Sequence, residues 1–144
     1  APVYFPSYGG FIDGGVVATN PAMCALAQTQ DRRSFPEPPP LARISLLSIG
    51  TGEVAQFIAG ESHDWGAVQW GLSLVDVFMS GTVGVASYQC RSFLGERFER
   101  LSPTLRRSDG LRLDSRPPAA FARMRDIAQG MRMERTRDWL ERHW

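Results

Sequence analysis

The stretch that decides the fold is Phe11-Ile12-Asp13-Gly14-Gly15-Val16-Val17-Ala18-Thr19-Asn20-Pro21. Two apolar residues lead into an acidic residue, two glycines allow a sharp turn, and Asn-Pro closes a run of small residues. Asn20 is a good helix N-cap, and Pro21 suits the first helical position because its missing N–H would be unpaired there. The stretch therefore predicts a strand, an acidic turn and a helix. An ordinary connection with a solvated Asp13 and a functional carboxylate at a sheet edge both fit this pattern.

The rest of the chain predicts three further helical or strand segments and a loop before its C-terminal helix. Three consecutive prolines make residues 31–40 a loop, and the nearly continuous apolar run that follows is typical of a parallel strand covered on both faces. Apolar residues at helical spacing predict a long helix with a break near Gly81 or Gly84. The expected elements are a helix over 21–29, a strand over 43–49, a helical stretch over 65–94, a strand over 96–101 and one C-terminal helix after Pro117-Pro118 with Phe121, Met124, Ala128 and Met131 on one face.

Length and composition limit the classes of protein that fit. The 144 residues suffice for one domain with a core, and a net charge of +1 argues against a nucleic-acid partner. All 16 basic residues are Arg, so a phosphate-binding loop that needs Lys is excluded. Cys24 and Cys90 lie in apolar, helical contexts, which predicts buried free thiols rather than a disulfide. No apolar run is long enough to span a bilayer.

Several motifs together resemble the patatin-like phospholipases, a family of α/β acyl hydrolases. Asp13-Gly14-Gly15 with Asn20-Pro21 is similar to the aspartate box of that family, and the lead-in Ala1-Pro2-Val3-Tyr4-Phe5-Pro6 is similar to the segment before it. Leu46-Leu47-Ser48-Ile49-Gly50-Thr51-Gly52 resembles the next core strand and glycine turn. Weaker support comes from Ser87-Tyr88-Gln89, Phe93-Leu94-Gly95-Glu96-Arg97-Phe98 and Arg100-Leu101. The resemblance covers nearly the whole chain.

The resemblance implies the C-terminal part of one three-layer α/β domain, residues 1–144, with a mostly parallel sheet flanked by helices. Residues 1–60 would hold core strands and the catalytic loop, and residues 61–144 a mainly helical region. The family hydrolyses lipid acyl esters with a Ser-Asp dyad, so the resemblance makes Asp13 the catalytic aspartate. A membrane-peripheral or cytoplasmic location and contact with a membrane surface are part of this expectation.

The serine nucleophile of that dyad is missing from the sequence. No Gly-x-Ser-x-Gly occurs, and the nearest approach, Gly71-Leu72-Ser73-Leu74-Val75, lacks the closing glycine. The chain therefore reads as the C-terminal portion of a longer hydrolase whose nucleophile lies in the upstream part of the same polypeptide. Residues 1–144 alone should not turn over an ester.

The chemistry of Asp13 adds two structural expectations. A free Asp is a weak base at neutral pH, so a partly desolvated pocket formed by neighbouring apolar residues should raise the pKa of this carboxyl. The turn after Asp13 should place Gly14 at a positive φ, which β-branched residues resist.

Other motifs suggest other functions. Gly50-Thr51-Gly52 matches part of a dinucleotide fingerprint, so a non-catalytic α/β module that binds a nucleotide is the alternative. The aromatic residues Trp65, Trp70 and Phe78, with Met79, lie at helical spacing, which favours a packed core helix over the alternative of a lipid-facing rim. His63 and His143 lie in a polar loop and at the chain end, which favours no catalytic role. We expect no cofactor, and no Cys, His and carboxylate cluster has metal-ligand spacing.

Overall fold

The computed structural model describes residues 8–11, 13–54, 67–111 and 117–144. Within them it has five helices and four short strands: α1 (Gly15–Ala18), α2 (Ala22–Thr29), β1 (Leu46–Ile49), β2 (Glu53–Val54), α3 (Ala67–Leu94), β3 (Phe98–Leu101), β4 (Thr104–Leu105), α4 (Pro118–Gln129) and α5 (Glu134–His143). Single 3₁₀ turns precede β1 at Leu41–Arg43, precede β3 at Gly95–Arg97 and follow β4 at Arg107–Asp109.

The strands pair in parallel, as the resemblance to an α/β family implies. β1 lies beside β3 with Leu46 opposite Phe98, and β2 lies beside β4 with Glu53 opposite Thr104. Along the chain, β2 follows β1 and β4 follows β3. Between the two pairs, the Gly50 N–H donates to the Leu101 carbonyl, 2.8 Å away. Two parallel strands require a long crossover connection, which α3 provides between β1 and β3. The mixed α/β class with parallel strands is therefore confirmed.

The core lies where α2, α3 and β3 meet. Ala22 and Leu26 are one helical turn apart on α2 and face Cys90 and Leu94, which are one turn apart on α3. Phe98 of β3, only 1% exposed, completes this cluster. The helix over 21–29 is confirmed within one residue, and β1 begins three residues later than expected because residues 41–43 form a 3₁₀ turn.

The expected break in α3 does not occur. The helix runs without interruption from Ala67 to Leu94 through both Gly81 and Gly84. A glycine inside a helix costs about 1 kcal/mol relative to Ala but keeps its backbone N–H, unlike a proline. Packing of the C-terminal half of α3 against α2 offsets this cost.

The C-terminal region forms two helices rather than one. Residues 118–129 form α4, whose expected apolar face is solvent-exposed at Phe121. A separate helix, α5, is anchored by Trp139, which is 4% exposed and donates its indole N–H to the Glu96 carbonyl at 2.7 Å. Among the described residues, every helix is too short or too polar to span a membrane.

Candidate functional site

A two-residue hairpin turn leads into the acidic segment. The backbones of Tyr8 and Phe11 exchange two hydrogen bonds of 3.1 and 2.9 Å. Between them, Gly9 and Gly10 both adopt positive φ, +56° and +81°, which this tight turn requires. Phe11 is 80% exposed, and Ile12 lies outside the described residues. The expected strand before Asp13 is thus limited, in the part the structure describes, to one antiparallel bridge.

Asp13 is held by the turn that follows it. Its Oδ1 accepts the Gly15 N–H at 2.8 Å, so the carboxylate sits over the first turn of α1. A Cβ on Gly15 would lie 3.2 Å from Oδ1, closer than most such contacts allow. Gly14 instead has an ordinary helical φ of −61° and open space around its Cα. The expectation of a positive φ at Gly14 was wrong; Gly15 is the constrained glycine because the carboxylate approaches it.

The environment of Asp13 differs from the expected pocket. The residue is exposed, and its pKa lies below the ordinary value of 3.8. Hydrogen bonds to the carboxylate, that of the Gly15 N–H among them, lower the pKa because they favour the charged form. Desolvation acts in the opposite direction and is too weak to reverse the shift. The prediction of a raised pKa is wrong for this chain, while the catalytic role of Asp13 stays a prediction.

The other end of the segment is fixed to α3. Thr19 Oγ1 donates to the Gly15 carbonyl at 2.8 Å and accepts from Thr82 Oγ1 at 3.3 Å. Asn20 is 4% exposed, and its Nδ2 donates to Ser87 Oγ at 3.0 Å. Its Oδ1 accepts the Ala22 N–H at 3.2 Å, the bond expected of an N-cap side chain, although the helix begins at Ala22 and not at Pro21. Residues 13–20 therefore run from an exposed carboxylate to a buried amide, and we call them the acid segment.

A chain of polar side chains continues from Asn20 into the sheet. Ser48 Oγ donates to Asn20 Oδ1 at 3.2 Å and accepts from Arg100 Nη1 at 2.8 Å. Arg100 also forms an ion pair with Glu53, with Nη2 and Oε1 2.7 Å apart. Sequence reasoning missed Ser48 and Arg100. Their only signals were that Ser48 is the polar residue in an otherwise apolar strand and that Arg100 is one of two charged residues in β3, and neither reveals that the two strands are neighbours.

An apolar groove lies between α1, α2 and α3. It has a volume of about 560 Å³, and its walls include Val17, Met23, Phe78 and Val85. Val17 is 80% exposed and Phe78 63% exposed, so the expectation that Phe78 belongs to a packed core helix is wrong. Trp65 lies outside the described residues. The groove begins four residues after Asp13, at Val17.

The Gly50-Thr51-Gly52 turn is shaped by the neighbouring strand rather than by a ligand. A Cβ on Gly50 would lie 2.6 Å from Ser102 Oγ and 2.8 Å from Arg100 Nη2. Gly52 has a φ of +130°, and a Cβ there would lie 2.7 Å from Leu105 Cδ1. A dinucleotide fingerprint requires a helix directly after the glycines, but β2 begins at Glu53. These glycines therefore allow close packing of the two strands, which argues against a dinucleotide fingerprint at this turn.

The remaining candidate residues divide between buried and exposed positions. Cys90 is fully buried, and burial raises the pKa of its thiol. Cys24 is exposed, so its expected burial was wrong, and both thiols are free. His63 lies outside the described residues, and the His143 ring stacks near that of Trp139 with centroids 5.4 Å apart. Among the described residues, no group of His, Cys, Asp or Glu side chains is arranged to hold a metal ion.

Comparison with known proteins gives three informative relatives. The chain is 25% identical over 170 aligned residues to "Putative sporulation hydrolase CotR" of Bacillus subtilis (strain 168), covering all of this chain and 50% of that protein. It is 24% identical to "Protein teg" of Priestia megaterium, again over all of this chain and 51% of that protein. It is also 32% identical over 87 residues to "Patatin-like protein 1" of Oryza sativa subsp. indica, which covers 49% of this chain and 21% of that protein.

No protein-family model and no solved structure matches the chain. The chain spans about half the length of the first two curated relatives. It is thus similar over its whole length to a protein named as a hydrolase, and over about half its length to a patatin-like protein.

Proposed function

We propose that this chain is part of a lipid acyl hydrolase and supplies Asp13 as the base of a Ser-Asp dyad. The observation that carries the proposal is the position of the exposed Asp13 carboxylate. The Gly15 N–H holds it at the start of α1, and α1 forms one side of an apolar groove. The serine nucleophile and the donors that stabilise the oxyanion would come from the upstream part of the same polypeptide. Similarity to a hydrolase-named and a patatin-like protein supports this assignment.

The proposed reaction is acyl transfer through a covalent intermediate. Asp13 takes the proton of the serine hydroxyl as its oxygen attacks the ester carbonyl, and the alcohol leaves with that proton. Water then attacks the acyl-serine, Asp13 accepts its proton, and the fatty acid is released as the serine regains its hydrogen. One water molecule is consumed for each ester bond broken.

Asp13 needs a higher pKa for this role than it has in the isolated chain. Cover by the upstream part would remove water from the carboxylate, and desolvation raises the pKa of an Asp. This change would make Asp13 a stronger base in the complete polypeptide.

The groove supports an apolar substrate. Val17 and Ala18 of α1 form one wall and Phe78 and Val85 of α3 another, so an acyl chain there would contact carbon atoms mainly. The exposed Phe78 and Val85 at this groove favour contact with a membrane surface, where such esters are found. The proposed substrate class is therefore a lipid acyl ester.

The test replaces Asp13 by Asn in the complete polypeptide and measures hydrolysis of an acyl ester. Asp31→Asn is a matched control, because Asp31 is also hydrogen-bonded to the backbone N–H two residues later, at 3.0 Å. We expect Asp13→Asn to lower kcat by at least about 10², the scale of a lost general base, and Asp31→Asn to leave it unchanged. Equal rates for the two variants would refute the proposed role of Asp13.

A second arm uses residues 1–144 alone. Without a nucleophile they should show no ester turnover above background and no labelling by a serine-directed fluorophosphonate. Turnover by this chain that the fluorophosphonate abolishes would place the nucleophile within it and contradict the proposal.

A further inference from the structure

We propose that Arg100 is a positioning residue, which acts through Ser48 and Asn20 to hold the acid segment, residues 13–20, in its working geometry. The inference rests on the proposed function of Asp13 and adds the residues that support it. Arg100 lies on β3, 87 positions after Asp13, so nothing in the sequence connects the two.

In the hydrogen bonds that join Arg100 to the acid segment, each group donates to the next one along. Arg100 Nη1 donates to Ser48, Ser48 Oγ donates to Asn20 Oδ1, and Asn20 Nδ2 donates to Ser87 Oγ. Ser87 Oγ then donates to the Val83 carbonyl at 2.9 Å. Each donor in such a chain is polarised by the bond before it, so the bonds strengthen one another. We call Arg100, Ser48, Asn20 and Ser87 the polar relay.

Arg100 is the fixed starting point of the polar relay. Its Nε donates to Glu53 Oε1 at 2.8 Å while Nη2 lies 2.7 Å from the same oxygen, so the guanidinium plane is held from one side. The side chain of Arg100 is only 14% exposed. The missing Cβ of Gly50 leaves room for Nη2, which would otherwise lie 2.8 Å from that carbon. A planar group with several fixed donors suits this position better than a flexible ammonium group does.

The acid segment needs such a support because it has little of its own. α1 is only four residues long, a length that cannot form a stable helix in isolation. Asn20 is the buried end of the acid segment, and the hydroxyl of Thr19 beside it donates a hydrogen bond to the Gly15 carbonyl. The Gly15 N–H in turn holds the Asp13 carboxylate. A shift of Asn20 would therefore move the start of α1 and the carboxylate with it.

The test compares Arg100→Met with Arg123→Met in the complete polypeptide. Arg123 forms a similarly close ion pair, 2.6 Å from Asp109 Oδ1, but belongs to no part of the polar relay. Rates are normalised to the number of serines that a fluorophosphonate labels, so unfolded molecules do not count. We expect Arg100→Met to lower kcat by about tenfold or more with little change in KM, because a small misplacement of a catalytic group is costly. Arg123→Met should change neither.

Two further variants separate positioning from general stability. Ser48→Ala should lower kcat in the same way, and adding Arg100→Met to it should cause little further loss. In an Asp13→Asn background Arg100→Met should have no effect on the residual rate. Equal kcat for Arg100→Met and Arg123→Met, or additive losses in either double variant, would overturn the inference. If Asp13→Asn itself retains wild-type kcat, the proposed function fails instead, whatever Arg100→Met does.

Discussion

The two ends of the acid segment differ in almost every physical respect. Asp13 is exposed and held by its own turn, whereas Asn20 is 4% exposed and hydrogen-bonded to α2, α3 and β1. The end proposed to carry the chemistry thus contributes little to the core, whereas the other end is fixed to three elements and, at Asn20, also lines the groove proposed for the acyl chain. Substitutions at the two ends should therefore fail in different ways: at Asp13 in the rate of the reaction, and at Asn20 first in the stability of the fold.

The largest effect on stability is expected at the buried end. Asn20→Leu would leave the Ser48 O–H and the Ala22 N–H without their acceptor and would remove one donor from Ser87 Oγ, and a buried polar group without a partner costs about 1–3 kcal/mol. We expect the free energy of unfolding to fall by about 3 kcal/mol, measured by urea denaturation of the complete polypeptide.

The matched control for Asn20→Leu is Gln30→Leu, which removes an exposed amide that donates to the Pro39 carbonyl at 3.0 Å. Its effect should stay within about 0.5 kcal/mol, because water replaces the lost bond. Similar losses for the two variants would mean that burial does not distinguish Asn20.

A smaller effect is expected at the glycine turn beside the polar relay. Gly52→Ala forces a side chain onto a φ of +130° and brings its Cβ against Leu105, so we expect a loss of about 2 kcal/mol in unfolding free energy. Gly14→Ala, at a helical φ with open space, should be neutral or slightly stabilising. Thermal denaturation of both variants checks the pair. A larger loss at Gly14 than at Gly52 would reverse our assignment of the constrained glycines.

The carboxylate of Asp109, whose side chain is buried, sharpens the comparison with the exposed Asp13 through the pH dependence of stability. Hydrogen bonds from Arg123 and from the Arg106 N–H hold the pKa of Asp109 below its ordinary value of 3.8, and its side chain is 5% exposed. The folded state therefore binds this proton more weakly than the unfolded state does. Asp109 therefore contributes to the free energy of unfolding at a pH above its ordinary pKa, and this contribution is lost as the pH falls through the lowered pKa of the folded state.

Urea denaturation between about pH 6 and about pH 2.5 measures this effect. Stability should decline at the acidic end of the range, and Asp109→Asn should be less stable at neutral pH and decline less on acidification. The control Asp126→Asn alters a carboxylate on α4 that is exposed. An identical acid profile for wild type and Asp109→Asn would contradict the stated cause.

Much of the fold was predictable from local pattern. The helix over 21–29, the Pro-rich loop and the apolar strand before Gly50 are encoded in residues next to one another, so periodicity and turn residues identify them. The unbroken α3 was not predictable, because the packing that offsets Gly81 and Gly84 comes from α2. The division of the C-terminal region into α4 and α5 depends on Trp139 and its bond to the Glu96 carbonyl, 43 positions away.

The candidate site was predictable only at its exposed end. Asp13 and the constrained backbone around it stand out in the sequence, although the constraint lies on Gly15 rather than Gly14. The polar relay joins positions 20, 48, 87 and 100, and the register of β1 against β3 places Ser48 directly opposite Arg100. A pairing register is set by the whole fold, so no local pattern reveals it.

The most direct test of the central claim is the rate at which a fluorophosphonate labels a serine in the complete polypeptide. The labelled serine is identified by mass spectrometry, and the rate is compared for wild type, Asp13→Asn and Asp31→Asn. Because labelling requires a deprotonated hydroxyl but no substrate binding, it isolates the base from the groove. We predict that a serine upstream of residue 1 is labelled and that Asp13→Asn slows its labelling by at least about 10² while Asp31→Asn does not. Labelling of that serine at the wild-type rate in Asp13→Asn would contradict the account.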